Sequence, residues 1–283
     1  MALKMRYLEL YRKVRDVRML AIQGIAEAGS GHPGASFSAA EIMGALYFHK
    51  MKHRPSDPLW EDRDYFINSK AHSAPGYYAV LATAGYIDAK EVKTLRKLGS
   101  RLQGHPVRYS ERQKDHSFPG IEYSGGSEGI GLSVSIGIAL AKKRDGKKNR
   151  VYTMIGDGES NEGQIWEAAM AASKFKLDNL VAILDRNRIQ QDGFTEEIMP
   201  LDPVRDKWTA FNWNVVEVNG HKIEEIIDAL SRIEKVEDKP SIIIRIQLRA
   251  RELSIWLIVH NGMEKLLQKN TFQFYWKNFK VKF

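Results

Sequence analysis

Two apolar runs separated by one helix length constrain this chain more than any other feature. Residues 151–155 lead into Gly156-Asp157-Gly158-Glu159, and residues 180–184 lead into Asp185-Arg186-Asn187, with a helical segment over 162–175 between them. A strand–helix–strand unit of this size is what a right-handed parallel crossover requires. Asp157 and Asn187 then leave the sheet at the same carboxyl edge, where doubly wound folds bind ligands. Gly156 and Gly158 allow a tight turn and close backbone approach. The start of the following helix adds unpaired N–H donors and a positive dipole end, which favour an anion. Magnesium takes one or two carboxylates and fills its shell with phosphate oxygens and water. Asp157, Asn187 and the Ile189 carbonyl would leave room for a diphosphate on such an ion. Gly-Asp-Gly alone reads more readily as a plain turn, and the matched Asn187 is what favours the magnesium–phosphate reading.

At 283 residues the chain can bury a substantial core. It has no cysteine, which excludes disulfides, zinc–thiolate sites and thiol nucleophiles and fits a reducing, cytoplasmic setting. Residues 1–18 are charged and amphipathic, with no apolar core of a signal peptide. No run approaches the length of a membrane span. The net charge of +8 points to nucleic acid only until it is located. Residues 245–283 hold eight Lys/Arg against two Asp/Glu, whereas residues 1–244 hold thirty-five against thirty-three. The body is nearly neutral, so neither nucleic acid nor membrane is expected as a partner.

Alternating strand and helix patterns continue along the chain. A helix is predicted over 7–27, then the turn Gly29-Ser30-Gly31-His32-Pro33-Gly34, and a helix over 38–49 capped by Ser36 or Ser38. A short strand over 65–69 is followed by helices over 74–84 and 88–96, and by a polar loop over 103–124. A second glycine-rich turn, 124–131, opens a small-residue helix over 132–143. Beyond the 151–187 unit lie a strand over 214–218, a helix over 223–235 and a strand from Ser241. This order predicts an α/β fold: a doubly wound, mainly parallel sheet with helices on both faces.

Three histidines share a context: His32 in Gly-His-Pro-Gly, His72 in Ser-Lys-Ala-His and His105 in Gln-Gly-His-Pro. Singly each reads as a structural residue; beside a phosphate site they suit a polar, oxygen-rich substrate. With Gly31-His32-Pro33-Gly34, Asp62-Arg63-Asp64, Ser69-Lys70-Ala71-His72, Gln103-Gly104-His105-Pro106, Gly156-Asp157-Gly158-Glu159 and Lys176-Leu177-Asp178-Asn179-Leu180 in family order, the chain resembles the N-terminal half of transketolase. The resemblance runs from about residue 10 to 244. It implies a thiamine diphosphate-binding fold and transfer of two-carbon ketol units between sugar phosphates, as in the pentose phosphate pathway. It implies magnesium, or calcium in its place, on Asp157, Asn187 and the Ile189 carbonyl, with Gly156, Gly158 and Glu159 at the cofactor's diphosphate. It further implies that His32, His72 and His105 face cofactor and donor sugar, and that Gly125-Gly126-Ser127 touches the aminopyrimidine side. Glu162 and Glu167 match acidic residues at the subunit interface that link paired active sites. The glutamate that activates the cofactor belongs to a different domain in the family, and nothing beyond residue 244 resembles it. The expected partners are therefore a C-terminal transketolase subunit carrying that glutamate and a second copy of the assembly, with the chain inactive alone.

Departures from the pattern are specific. Ala71 replaces a glycine, and Glu128 stands where leucine is usual. Domain 1–244 gives way to a basic, aromatic tail at 245–283, which holds seven of the twenty-eight Phe, Trp and Tyr residues. Family members continue there with Lys-Gly-Lys-Gly and then a His-Gly segment; here Arg249-Ala250-Arg251-Glu252 follows, as a change of reading frame near residue 245 would produce. Two other readings remain: a non-catalytic scaffold of the same fold, and a related thiamine enzyme of the deoxyxylulose-phosphate synthase or 2-oxoacid dehydrogenase type.

Overall fold

A computed structural model describes residues 2–113, 117–190 and 193–247. The elements in chain order are helices α1 (Ala2–Ala28), α2 (Pro33–Ser38) and α3 (Ala40–Ala45), strand β1 (Tyr65–Asn68), and helices α4 (Ala74–Ala84) and α5 (Ile130–Arg144). Strand β2 (Val151–Gly156), helix α6 (Gly163–Lys174), strand β3 (Leu180–Arg186), the short pair β4 (Ile189–Gln190) and β5 (Gly193–Phe194), and helices α7 (Thr195–Ile198) and α8 (Val204–Ala210) follow. Strand β6 (Asn214–Asn219), helix α9 (Ile223–Ile233) and strand β7 (Ser241–Ile246) complete the described part. The main sheet is parallel throughout, in the order β1-β2-β3-β7-β6.

Strand residues alternate between two cores, as a period of two demands. Phe66, Tyr152, Met154, Val181, Ile183 and Ile243 pack toward α1, α3, α4 and α9. Ile67, Val151, Ile155, Ala182, Leu184, Ile242 and Ile244 pack toward α5, α6 and α8 on the other face. Burial on both faces explains why β2, β3 and β7 read as almost unbroken apolar runs. Each such Ile, Leu or Val contributes on the order of 1.5–3 kcal/mol when it leaves water.

Two expectations shift. The helix placed at 38–49 begins at Pro33, with no side-chain cap, and passes through α3 into a π turn, Leu46–Lys50. Ser38 does not cap because its hydroxyl donates to Asp185 Oδ2 at 2.6 Å. At the other end β7 runs on to Ile246, and Arg245 is wholly buried, so the ordered fold continues past residue 244. Residues 248–283 of the atypical tail lie outside the described residues.

Candidate active site

The registers place the key residues. Gly156 of β2 lies opposite Asp185 of β3, which lies opposite Arg245 of β7. Successive side chains at a strand end point to opposite faces, so Asp185 turns toward α2 and α3 while Arg186 turns toward α7. One step past β2, Asp157 enters the crevice above the sheet. A cleft of 630 Å³ opens there, and its walls include Lys70, His72, Glu128, Asp157, Asn187 and Gln190.

Asp157 is buried, and its carboxylate is incompletely served. Oδ2 accepts from the Arg188 N–H at 2.5 Å. Oδ1 lies 3.3 Å from Arg186 Nη1 and has no hydrogen-bond partner. Burial pushes this carboxyl up to about 6, against the pull of Arg186. Arg186 is itself shared, at 2.8 Å with Glu196 and 3.1 Å with Asp202. Arg188 adds a weak 3.9 Å contact to Asp202. Arg186 thus divides its charge among three carboxylates, of which Asp157 alone is buried. A buried carboxylate in that state calls for a cation.

Asn187 Oδ1 accepts from the Ile189 N–H at 2.9 Å, which folds the segment back and keeps a second lone pair for another donor or ion. Gly158 is needed for close approach: a Cβ there would lie 3.1 Å from Gln190 Cβ. Asn161 donates to Gln190 Oε1 at 3.0 Å and holds that wall in place. One carboxylate, one amide and one main-chain carbonyl fit a hard, oxygen-seeking ion whose shell is completed by phosphate. No group of three or more His, Asp or Glu suited to a metal occurs among the described residues, so an ion here would depend on the Asn187 amide, the Ile189 carbonyl and ligand oxygens beside Asp157.

Glu159 lines the same cleft, but its carboxylate works inward. It accepts from Ser69 Oγ, from the Gly129 N–H at 3.0 Å and from the Gly156 N–H at 2.9 Å. Burial pushes it up to about 7, against these bonds. It ties the end of β1, the end of β2 and the start of α5 together. Gly129 precedes α5 with φ of 86°, a left-handed conformation that suits glycine.

The histidine turns meet unequally. His72 is on the cleft wall, and its Nδ1 lies 3.2 Å from Glu128 Oε1. The His32 ring stands edge-on to it, with centroids 5.4 Å apart. Desolvation, then repulsion from His72, Arg96, His105 and Lys70, lowers His32 to about 4. His32 is solvent-accessible as a residue, so screening reduces the energetic weight of that shift and its direction is what matters. His105 is exposed at the end of the Gln103–His105 segment, where its carbonyl accepts from Tyr78 Oη at 3.2 Å. Burial lowers it as well.

Of the residues singled out in the sequence, His72, Gly156, Asp157, Gly158, Glu159, Glu162, Asn187 and Ile189 share the cleft. Gly125, Gly126 and Ser127 lie in the turn that leads to Glu128 and are not on its wall. Glu167 is exposed on α6, outside the cleft. Lys70, Arg186, Asp185 and Arg245 were given no role from sequence. A charged residue inside an apolar buried strand must have a partner, and that rule would have found the last three.

Comparison with known proteins agrees with this geometry. The family described as "Transketolase, thiamine diphosphate binding domain" matches residues 11–248. The chain is 42% identical over 238 residues to the 6-deoxy-6-sulfo-D-fructose transketolase subunit of Clostridium sp. strain MSTE9, covering 84% of each. It is 41% identical over 240 residues to an apulose-4-phosphate transketolase subunit of Actinobacillus succinogenes, again 84% of each. Transketolase from Leishmania mexicana superposes with a TM-score of 0.77 at 30% identity, over 84% of this chain and 36% of that one. The parallel α/β fold and these matches make the chain a member of the transketolase family, corresponding to its N-terminal, thiamine diphosphate-binding portion.

Proposed function

We propose that the chain is the diphosphate-binding subunit of a two-polypeptide transketolase that uses thiamine diphosphate with magnesium. The observation that carries this is Asp157 Oδ1, a buried carboxylate oxygen without a hydrogen bond beside Asn187. Asp157, the second lone pair of Asn187 and the Ile189 carbonyl would hold the ion. Backbone at Gly158 and the start of α6 would meet the diphosphate, because Glu162 leaves that helix without a side-chain cap. The cofactor, when bound, supplies the carbanion sink for the two-carbon unit. The chain's own residues orient and enclose. His72, with the His32 ring edge-on to it, offers a polar ring to the bound ligand, and Ile189, Ile198 and Met199 add apolar surface to the cleft lining. The activating glutamate comes from the partner subunit. Relatives named as transketolase subunits support a divided enzyme, and a phosphorylated or otherwise anionic ketose suits the histidine turns better than an apolar oxoacid does. Calorimetry with thiamine diphosphate and magnesium tests the first half. Ketol transfer from xylulose 5-phosphate only when both chains are mixed tests the second, and no transfer in the mixture would favour the scaffold reading.

We also propose that the sequence beyond Gln247 is read out of frame. Residues 245–247 are accommodated by the fold, with Arg245 buried and Gln247 N–H bonded to the Arg186 carbonyl at 3.0 Å. Past them, the third base of each codon can be joined to the first two of the next. Leu248-Arg249-Ala250-Arg251-Glu252 then permits Lys-Gly-Lys-Gly, and Gly262-Met263-Glu264 permits His-Gly, whose glycine codon is forced by Met263 and Glu264. These are the two segments that the family resemblance leads one to look for. The gene should read AGG at Arg249 and Arg251 and GCA at Ala250; any other codon there dismisses the idea.

A further inference from the structure

Gln190 lies on the cleft wall with one end of its amide committed and the other not. Asn161 donates to its Oε1 at 3.0 Å, and no described residue accepts from its Nε2. We propose that Gln190 is a further phosphate-binding residue: its Nε2–H donates to an oxygen of the diphosphate held beside Asp157 and Gly158. The reference to a diphosphate rests on the function proposed above; the orientation of the amide does not.

Two hydrogen bonds fix which end of the amide is which. The Met199 carbonyl can only accept, so the group that Asn161 sets against it at 3.3 Å is its NH2. The other hydrogen of that NH2 reaches Gln190, so the Gln190 atom that meets it is the oxygen. Nε2 is then the remaining end, with both of its hydrogens to give. Its place is set as well. A Cβ at Gly158 would stand 3.1 Å from Gln190 Cβ and 3.2 Å from its Oε1, so the side chain lies along Gly158 and keeps the amide beside that glycine. Gly158, Asn161 and Gln190 all line the cleft, with Asp157 and Asn187.

The charges of the cleft explain the need for a neutral donor. Glu128, Asp157, Glu159 and Glu162 place carboxylates in its walls, whereas Lys70 turns its ammonium away to Asp185 at 2.7 Å and Ser38 at 3.0 Å. A diphosphate is therefore met by the ion on Asp157, by backbone N–H groups and by side-chain amides. Asn161 has given both hydrogens of its amide to protein oxygens, and Gln190 has given neither. A donor to an ionised phosphate oxygen makes a stronger bond than one between neutral groups.

The test is calorimetry on the full chain with its partner subunit, using magnesium and inorganic diphosphate as the probe. Gln190→Met keeps the length of the side chain and removes the donor; it should weaken binding about tenfold, the weight of one hydrogen bond to a charged group. Gln190→Glu keeps an oxygen for Asn161 but also lacks the donor, and should weaken binding at least as much. Binding by Gln190→Met within about twofold of wild type overturns the proposal. A loss in Gln190→Met with Gln190→Glu intact also overturns it, because Gln190 would then serve only as the partner of Asn161. Should the methionine variant fail to fold, Gln190→Leu takes its place under the same criteria. A direct reading comes from the complex labelled with ¹⁵N at the glutamine amides, in which Gln190 is identified by the signal lost in Gln190→Met. Its N–H signals should shift and exchange more slowly with water once the probe is added, and unmoved signals in a protein that binds the probe overturn the proposal. If wild type binds no magnesium and diphosphate, the function proposed above falls and this role with it. If wild type binds and the variants match it, the role of Gln190 falls alone.

Discussion

Asp157 and Asp185 stand at the carboxyl ends of neighbouring strands, both buried, and their surroundings differ in one respect. Asp185 is finished by protein: Ser38 at 2.6 Å, Lys70 at 2.7 Å and Arg245 at 2.8 Å. Lys70 and Arg245 outweigh its burial and hold it down at about 2. Arg245 also pairs with Glu41 at 2.9 Å, which binds Arg18 at 2.6 Å, so each buried carboxylate of this network meets two cations, through to α1. Asp157 has one firm hydrogen bond on Oδ2, and its Oδ1 meets only the Arg186 guanidinium, at 3.3 Å and without hydrogen-bond geometry. Burial of a carboxylate therefore says little by itself; what it lacks separates a ligand site from a scaffold.

That contrast can be broken by substitution. Asp157→Ala should abolish magnesium-dependent thiamine diphosphate binding in calorimetry while leaving thermal stability unchanged or raised, because an underserved buried charge is removed. Unchanged binding would end the magnesium assignment, and a large loss of stability would make Asp157 a second Asp185. Asp185→Asn should do the reverse, lowering unfolding free energy by about 3–5 kcal/mol in denaturant titration, since buried Lys70 loses its anion and Arg245 keeps only Glu41. Ser38→Ala removes one neutral donor from that network and should cost about 1 kcal/mol by the same measurement. The smallest effect concerns pH. The folded pKa of His32 is lowered, from 6.5 to about 4. Its neutral form therefore adds stability that is full above about 6.5 and lost as pH falls toward about 4. His32→Asn should flatten the stability profile in that window, and an unaltered slope would show that the ring is free in solution.

Much of the sheet was legible because β2, β3 and β7 are buried on both faces and carry continuous apolar runs bounded by glycine, asparagine or proline. Asp157 and Asn187 were legible for the same reason: they end consecutive strands. The order β1-β2-β3-β7-β6 was not, because local pattern does not say which edge a crossover joins. The start of the second helix was misplaced since Ser38 looks like a cap, yet bonds a residue 147 positions away. Arg245 looked foreign by composition and proved to be the partner of Asp185 and Glu41. The Glu128–His72 contact joins two glycine-bordered turns whose proximity only the packing of α4 and α5 against the sheet decides. Glu128 was visible as a departure, but not its neighbour.

The insertion of β7 between β3 and β6 bears on how the chain is made. Both neighbours are synthesised earlier, and β7 is the last strand among the described residues. Until residue 246 has left the ribosome, β3 and β6 lack the strand that joins them and Asp185 waits for Arg245. A nascent chain cut short before that point would expose two unpaired strand edges, the condition in which sheets associate wrongly. A break in the reading frame placed after β7 falls just past this threshold. The break proposed above would leave every strand of the sheet encoded in frame, where the same error twenty codons earlier would remove β7.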